Sequence, residues 1–112
     1  MEENTNRYKL PVLSEEERTA ALAKAVAARE ARRQALDEVR AGTLDAEASL
    51  DDPRLRSCKV FMWLRAFPGI GTAKADAIMR KARIKPSRRV RGLGARQRVE
   101  VLEALEARRA GR

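Results

Sequence analysis

The chain has 112 residues, a mass of 12.6 kDa and a net charge of +9, so we expect a single small basic domain. One Cys and no His exclude an internal disulfide, His-ligated zinc and a Ser-His-Asp triad. We therefore expect no catalysis, no metal and no other cofactor. No apolar run is long enough for a transmembrane helix or a signal peptide, which predicts a cytoplasmic protein with no membrane partner. No small-molecule substrate is expected either.

The charge is unevenly spread along the chain. Residues 1–53 contain 8 basic and 12 acidic side chains, whereas residues 54–112 contain 17 basic and 4 acidic ones. Arg outnumbers Lys 19 to 6, and the planar guanidinium suits phosphate better than an ammonium does. This imbalance predicts a basic body that binds nucleic acid and a more acidic arm.

The first part of the chain predicts a tail and one long helix. Residues 1–13 have no helical period and contain Pro11, which indicates a flexible, extended tail, docked through Leu10, Val12 and Leu13. Ser14 and Glu17 have the spacing of a capping box, and Gly42 suits the left-handed residue after a helix. We therefore expect an Ala/Arg-rich helix over residues 14–41.

The apolar stripe of this long helix is sparse, so its N-terminal half should project from the domain. Its larger apolar residues are Leu22, Val26, Leu36 and Val39. Arg29, Arg32 and Arg33 cluster in its middle, either as a solvated face or as phosphate contacts; the sequence leaves both open.

Residues 42–112 predict a compact helical domain, and the whole chain an all-α fold. Thr43 is expected to cap a short helix over 44–50, and Asp52-Pro53 starts the next element. The most apolar segment is residues 59–67, and Cys58 beside it is expected to be a small buried residue. Further helices are expected over 72–83 and 94–109. The predicted core residues are Phe61, Met62, Trp63, Leu64, Ala75, Ile78, Met79, Ala82, Val99, Leu102 and Leu105.

A hairpin motif joins two of these helices. Residues 64–78 (LRAFPGIGTAKADAI) resemble a helix-hairpin-helix turn. Gly69 and Gly71 allow the backbone to turn and to approach a ligand, and Ile70 anchors the turn. The amides around Gly69–Thr72 lie at a helix N-terminus that favours an anion, and Lys74 can reach a phosphate oxygen. Backbone amides do not read bases, so the motif predicts sequence-independent binding.

Pro68 has two interpretations. It can act as an apolar wedge that kinks a duplex between base steps, or it can simply fix the turn.

A second motif is rich in arginine. Residues 88–98 contain five Arg, interrupted by two Gly, and Val90 and Leu93 can pin this connection to the core. We expect the arginine side chains to fan out toward nucleic acid. The candidate contacts are Arg88, Arg89, Arg91, Arg96 and Arg98.

Together these segments resemble the actinobacterial integration host factor family. The likeness covers LPVLSEEERTAAL, the long helix, KVFMWLRAFPGIGTAKADAIM and SRRVRGLGARQR. It implies a monomeric protein with a helix-two-turns-helix domain, similar to that of ribosomal S13 proteins. It also implies a nucleoid-associated protein that binds double-stranded DNA, bends it and compacts the chromosome. The family's turn often has Lys where this chain has Gly69, which implies weaker phosphate binding there.

Three other functions are compatible with parts of the sequence. An S13-like RNA-binding protein shares the hairpin, but this chain ends in an amphipathic helix and not in a long basic extension. A DNA-repair enzyme needs a catalytic domain for which the chain has no room. A helical adaptor could use the sparse stripe of the long helix to bind a partner.

Overall fold

The fold is a long helix attached to a compact helical body. This computed structural model describes residues 13–111, with side chains through residue 109. The regular structure of these residues is entirely helical, which confirms the all-α prediction. The elements in chain order are α1 (Glu15–Ala41), α2 (Ala46–Leu50), a first 3₁₀ turn (Pro53–Leu55), α3 (Val60–Ala66), α4 (Thr72–Lys81), a second 3₁₀ turn (Val90–Gly92) and α5 (Ala95–Gly111).

The predicted tail is almost entirely outside the described residues. Of residues 1–13 only Leu13 is described, and its side chain is exposed, so the docking expected of Leu10 and Val12 lies outside the described residues. None of the helices within residues 13–111 is long and apolar enough to cross a membrane.

Helix α1 begins and ends at the capping residues that the sequence indicated. The Glu17 amide donates to Ser14 Oγ at 3.0 Å, and the Ser14 amide donates to Glu17 Oε1 at 2.9 Å. At the other end Gly42 has a φ of 85°, and its amide donates to the carbonyls of Glu38 and Val39. The capping box and the left-handed C-terminal glycine are confirmed.

Only the C-terminal part of α1 packs against the body. Its 27 residues span about 40 Å at 1.5 Å per residue. Ala35 and Val39 are buried, whereas Leu22 and Val26 are 66% and 55% exposed. The molecule measures 67 × 27 × 23 Å because the N-terminal half of α1 projects as an arm, as the sparse stripe predicted.

An ion-pair cluster fastens α1 to the first 3₁₀ turn. The Arg54 guanidinium donates to both oxygens of Glu38, at 3.0 and 2.8 Å, and to both oxygens of Asp52, at 3.0 and 2.8 Å. These hydrogen bonds from Arg54 hold the pKa values of the Glu38 and Asp52 carboxyls below their ordinary values. The cluster joins α1 to a residue 16 positions further along the chain.

Trp63 is the centre of the core. It is fully buried, and its ring meets Phe67 edge to face at a centroid distance of 5.2 Å. Its indole Nε1 donates to the hydroxyl of buried Ser49 at 2.8 Å. Trp63 is therefore structural. Cys58 is also buried, and burial raises the pKa of its thiol.

The first correction concerns the start of α2. The sequence predicted Thr43 as the cap, but Asp45 caps α2, its carboxylate accepting the Ala48 amide at 2.8 Å. The amides of Thr43 and Leu44 both donate to the Glu38 carbonyl, at 3.0 and 3.2 Å. The turn that follows α1 therefore extends to residue 44 before α2 can begin.

Further corrections concern helix faces and one helix end. Met62 and Val99 were predicted to be core but are 50% and 53% exposed. Val101, which was not predicted, is fully buried on α5. Helix α4 ends at Lys81 and not at residue 83, because Arg83 takes a left-handed φ of 59° and breaks the helical path.

Candidate nucleic-acid interface

The turn between α3 and α4 has the shape that the hairpin motif predicted. Gly69 has a φ of 85°, a conformation that favours glycine. Ile70 is buried, and its amide donates to the Phe67 carbonyl at 3.1 Å. Ile70 therefore anchors the turn, as expected. Gly71, in contrast, has a φ of −93°, so the turn geometry requires glycine at residue 69 alone.

The N-terminus of α4 lacks a side-chain cap. Gly71 occupies the N-cap position in an extended conformation and makes no capping hydrogen bond. The first amides of a helix have no partner within the helix and form the positive end of its dipole. Thr72 and Lys74 are exposed beside them. The expectation that every amide from 69 to 72 faces outward needs one correction, since the Ile70 amide is bonded to Phe67.

Arg108 braces this turn from α5. Its guanidinium Nη1 donates to the Pro68 carbonyl, and the same nitrogen lies 3.5 Å from where a Cβ on Gly69 would be. The contact joins residues 40 positions apart, and the motif gave no sign of it. The face of α5 that contains Val101 and Leu105 also places Arg108 toward the body, because these residues recur at helical spacing.

The arginine-rich connection pairs with the segment that precedes α3. The Val60 amide donates to the Arg88 carbonyl at 3.0 Å, and the Val90 amide donates to the Cys58 carbonyl at 2.9 Å. The Arg91 amide then donates to the Arg56 carbonyl at 2.9 Å. This short antiparallel pairing brings exposed Arg56 and Lys59 beside the predicted arginines. Sequence reasoning missed both, because the pairing joins distant segments.

The arginines of this connection do not all fan out. Arg88 Nη1 donates to the Gly92 carbonyl at 2.8 Å, and Arg89 Nη1 donates to the Ser57 carbonyl. Only Arg91 of these three has an exposed side chain without a hydrogen bond within the described residues. The expectation that all these side chains fan out is therefore corrected, because Arg88 and Arg89 each donate one hydrogen bond to a backbone carbonyl. A guanidinium has five donors, so both retain others for a phosphate.

A shallow cleft lies within this connection. Its volume is about 330 Å³. It is lined by Lys85, Ser87, Arg88, Arg89, Arg91 and Gly92. Four cations around one depression form an attractive site for an anion.

Arg96 and Arg98 at the start of α5 have acidic partners. Arg96 pairs with Glu100 at 3.2 Å, and Arg98 pairs with Asp51 at 3.1 Å. The Arg98 pair ties α5 to the end of α2. Both arginines are therefore less available for phosphate than Arg91, although the Arg96 side chain is 90% exposed.

The two motifs lie at opposite ends of α3. The arginine-rich connection pairs with the chain just before Val60, and the hairpin turn follows Ala66. Seven residues of helix separate them by about 10 Å. Exposed Arg65 lies between them, its guanidinium carbon 5.7 Å from the centre of the Phe61 ring. Cationic groups thus run along α3 from one motif to the other.

Comparisons with known proteins show which family the chain belongs to. Residues 37–105 match the family model described as an S13-like H2TH domain. The chain is 43% identical over 101 residues to the integration host factor of Mycolicibacterium smegmatis, covering 87% of this chain and 96% of that protein. The chain belongs to the integration host factor family. The integration host factor of Mycobacterium tuberculosis is 44% identical over 98 residues, covering 84% and 93% of the two chains.

A solved structure agrees with this assignment to the integration host factor family. The structure of sIHF bound to an 8 bp palindromic DNA matches this chain with a TM-score of 0.65 and 29% sequence identity. The match covers 72% of this chain and 96% of that one. The integration host factor of Streptomyces coelicolor is 36% identical over 92 residues.

Proposed function

We propose that the protein is an architectural DNA-binding protein of the bacterial nucleoid. It binds duplex DNA through the phosphate backbone, with little sequence specificity, and bends or compacts it. The observation that carries this proposal is the concentration of amides and cations that can bind phosphate at both ends of α3. The relatives named integration host factor and the DNA complex of sIHF support the same function.

The proposed interface has two patches. The turn patch combines the helix N-terminus with an exposed cation and an exposed proline, and Ile70 contributes by anchoring it. It comprises Pro68, Gly69, Ile70, Gly71, Thr72 and Lys74. The arginine patch comprises Arg88, Arg89, Arg91, Arg96 and Arg98, to which the structure adds Arg56 and Lys59 as neighbours.

The chemistry of these patches explains the expected lack of specificity. Amides, ammonium groups and guanidiniums are the groups that contact phosphate oxygens, whereas sequence is read at base edges in the grooves. An arginine held by a backbone carbonyl, as Arg88 and Arg89 are, is already ordered and loses less side-chain entropy on binding phosphate.

The proposal is a binding function without catalysis. The one thiol is buried, and that burial raises the pKa of Cys58, which disfavours the nucleophilic thiolate. The S13-like RNA-binding alternative is less well supported, since the relatives above are named integration host factor. We further propose that the free protein is a monomer and that residues 42–112 form the DNA-binding domain.

A gel-shift series tests the proposal. The probes are two unrelated 30 bp duplexes and one structured RNA, each titrated at several salt concentrations. If about five phosphates are neutralised, the slope of log K against log salt is about −4 to −5 for both duplexes. A flat slope, a preference of more than about 1000-fold for one duplex, or tighter binding of the RNA would contradict the proposal.

A further inference from the structure

A groove lies between the C-terminal end of α1, α2, the hairpin turn and α5. Its volume is about 900 Å³, which is within the range of sites that hold a ligand. Leu44 and Leu102 line it and are only partly buried, so its apolar surface reaches solvent. Of the residues that line it, Pro68 alone belongs to the two proposed DNA-binding patches. The function proposed above therefore leaves most of this groove without a role.

The groove is acidic, although the body that contains it is basic. Four of its lining residues are acidic and two are basic. Residues 54–112 contain only four acidic side chains in all, and two of them, Glu103 and Glu106, line this groove. Asp45 and Glu47 contribute the other two carboxylates. The groove thus has the opposite charge to both DNA-binding patches and does not attract phosphate.

Two of these carboxylates have no cationic partner. Asp45 caps α2, and Glu106 lies 3.9 Å from Arg109. Glu47 and Glu103 are exposed, and among the side chains that the structure describes neither of them forms an ion pair. One is on α2 and the other is on α5. An occupant of the groove therefore meets a free carboxylate on each of these helices.

The groove extends along α5 for about two helical turns. Its lining residues on α5 run from Leu102 to Arg109, which is about 10 Å of helix. Glu103 and Glu106 each follow one of the lining leucines, Leu102 and Leu105, so an acidic row runs beside an apolar row. A helix that docks in a groove uses apolar anchors at i, i+3 or i+4 and i+7, which also cover about 10 Å. The groove therefore matches an amphipathic helix in length and in apolar surface.

We propose that this acidic groove docks a basic amphipathic helix of a partner protein. The apolar stripe of that helix packs on Leu44 and Leu102, and its lysines or arginines pair with Glu47 and Glu103. This inference goes beyond the proposed DNA binding and does not depend on it. Because Pro68 lines the groove and also belongs to the turn patch, the docked partner lies next to the turn that is proposed to bind DNA.

A second copy of this chain fits the groove less well than a different protein does. Among the described residues, the exposed larger apolar side chains are Leu13, Leu22, Val26, Met62 and Val99. Of these, only Leu22 and Val26 are on the same helix, so no helix face within the described residues offers three exposed apolar anchors. The occupant is therefore a different protein, and self-association is an outcome that the test must exclude.

The test measures binding of a fluorescein-labelled peptide to the full chain by fluorescence anisotropy. The probe has about 18 residues, since shorter isolated helices are marginal in water. It has leucines at i, i+4 and i+7, lysines beside them and alanines elsewhere. A peptide of the same composition, with its leucines out of helical spacing, is the first control. The chain has a net charge of +9, so charge alone repels both peptides.

Two double variants of equal net charge locate the binding site. Glu47→Gln with Glu103→Gln removes the free carboxylates of the groove. Glu15→Gln with Glu16→Gln is the matched control, in the first turn of α1 and about 40 Å of helix away from the groove. All four side chains are exposed, and glutamine has nearly the helix propensity of glutamate, so both proteins keep the fold, as thermal melting will verify.

We expect the parent to bind the helical peptide at least about tenfold more tightly than the control peptide. The groove variant should bind it about five- to tenfold more weakly than the parent, because two exposed ion pairs are lost, and the α1 variant should bind like the parent. Equal binding of the two peptides, no binding by the parent, or unchanged binding by the groove variant would overturn the proposal. Self-association of the parent in sedimentation velocity that the groove variant loses would also overturn it, because the occupant would then be a second copy.

Discussion

Gly71 is the residue at which stability and binding oppose each other. It is the N-cap of α4, has an ordinary extended conformation, and a Cβ there would have no atom within 4 Å. Serine fits this position and supplies the hydroxyl that caps helix amides. We expect Gly71→Ser to raise the free energy of unfolding by only about 0.3 kcal/mol, since glycine is itself a fair N-cap. We also expect it to weaken DNA binding, because the hydroxyl occupies amides that otherwise bind phosphate.

Thermal melting and gel shifts measure the two effects separately. Gly69→Ala is the contrast, since its φ of 85° costs an L-residue about 1–2 kcal/mol and the melting temperature should fall. Tighter DNA binding by Gly71→Ser would show that the α4 amides are not phosphate ligands.

Pro68 offers a second test at the scale of one side chain. It is exposed at the tip of the turn, while its carbonyl is held by Arg108. Pro68→Ala removes no charge, so the salt slope should stay unchanged. If the ring wedges between base steps, the variant should bend DNA less, which appears as weaker energy transfer between dyes at the ends of a duplex. Equal bending by the two proteins would leave Pro68 only the role of fixing the turn.

At the scale of the elements, variants of the arginine-rich connection can distinguish side chains that only bind DNA from side chains that also stabilise the fold. Arg91→Ala removes an exposed cation without a hydrogen bond to the body, so we expect the salt slope to fall by about 0.9 with no change in melting temperature. Changing Arg88, Arg89 and Arg91 together to Ala should lower the slope by up to about 2.7 and also lower the melting temperature, because two of these residues hold backbone carbonyls. Unchanged affinity in the triple variant would show that this patch does not bind DNA.

The ion-pair cluster at the base of α1 makes stability depend on pH. Arg54 lowers the pKa values of Glu38 and Asp52. A carboxyl whose pKa is lower in the folded state stabilises above its unfolded pKa, and that stabilisation is lost as pH falls through the folded value. The stability advantage of the parent over Glu38→Gln should therefore be full above about pH 5 and shrink below about pH 4. Melting curves between pH 2 and 8 will show it; a constant difference would mean that the Glu38 charge contributes nothing.

Capping residues close in sequence predicted the ends of α1 well. The buried faces of the helices were harder to predict, because more than one apolar stripe fits the sequence. The Ser14–Glu17 box and Gly42 determine the ends of α1 by local hydrogen bonds, so sequence was sufficient there. On α3 the large buried side chains are Val60, Trp63 and Leu64. Together with buried Phe67 just after the helix they follow the i, i+3, i+4, i+7 pattern, and Met62 lies outside that stripe.

Helix α5 is the harder case, because its sequence allows two faces. Val99, Leu102 and Leu105 make one plausible stripe, and Val101 with Leu105 makes another. The body selects the second, burying Val101 completely. That choice also orients Arg108 toward Pro68. Choosing the wrong face of α5 therefore missed both the buried Val101 and the contact of Arg108 with the turn.

At the scale of the whole molecule, the candidate site is partly local and partly assembled. The hairpin turn is contiguous in sequence, so its anchoring Ile70 could be predicted. The arginine patch depends on pairing between residues 56–60 and 88–91, which no local pattern specifies. The sequence therefore identified the patch's arginines but neither their carbonyl partners nor their cationic neighbours, Arg56 and Lys59.

The division of the molecule into body and arm predicts that the body folds without the arm. Deleting residues 1–33 removes exposed Leu22 and Val26 but keeps Ala35, Val39 and the Glu38–Arg54 pair. We expect cooperative thermal unfolding within a few degrees of the parent, because little buried apolar area is lost. Deleting residues 1–41 is the control. It removes two fully packed side chains and leaves the Arg54 guanidinium without Glu38, so its melting temperature should be far lower. A molten or insoluble 34–112 fragment would show that the body needs the projecting half of α1 to fold.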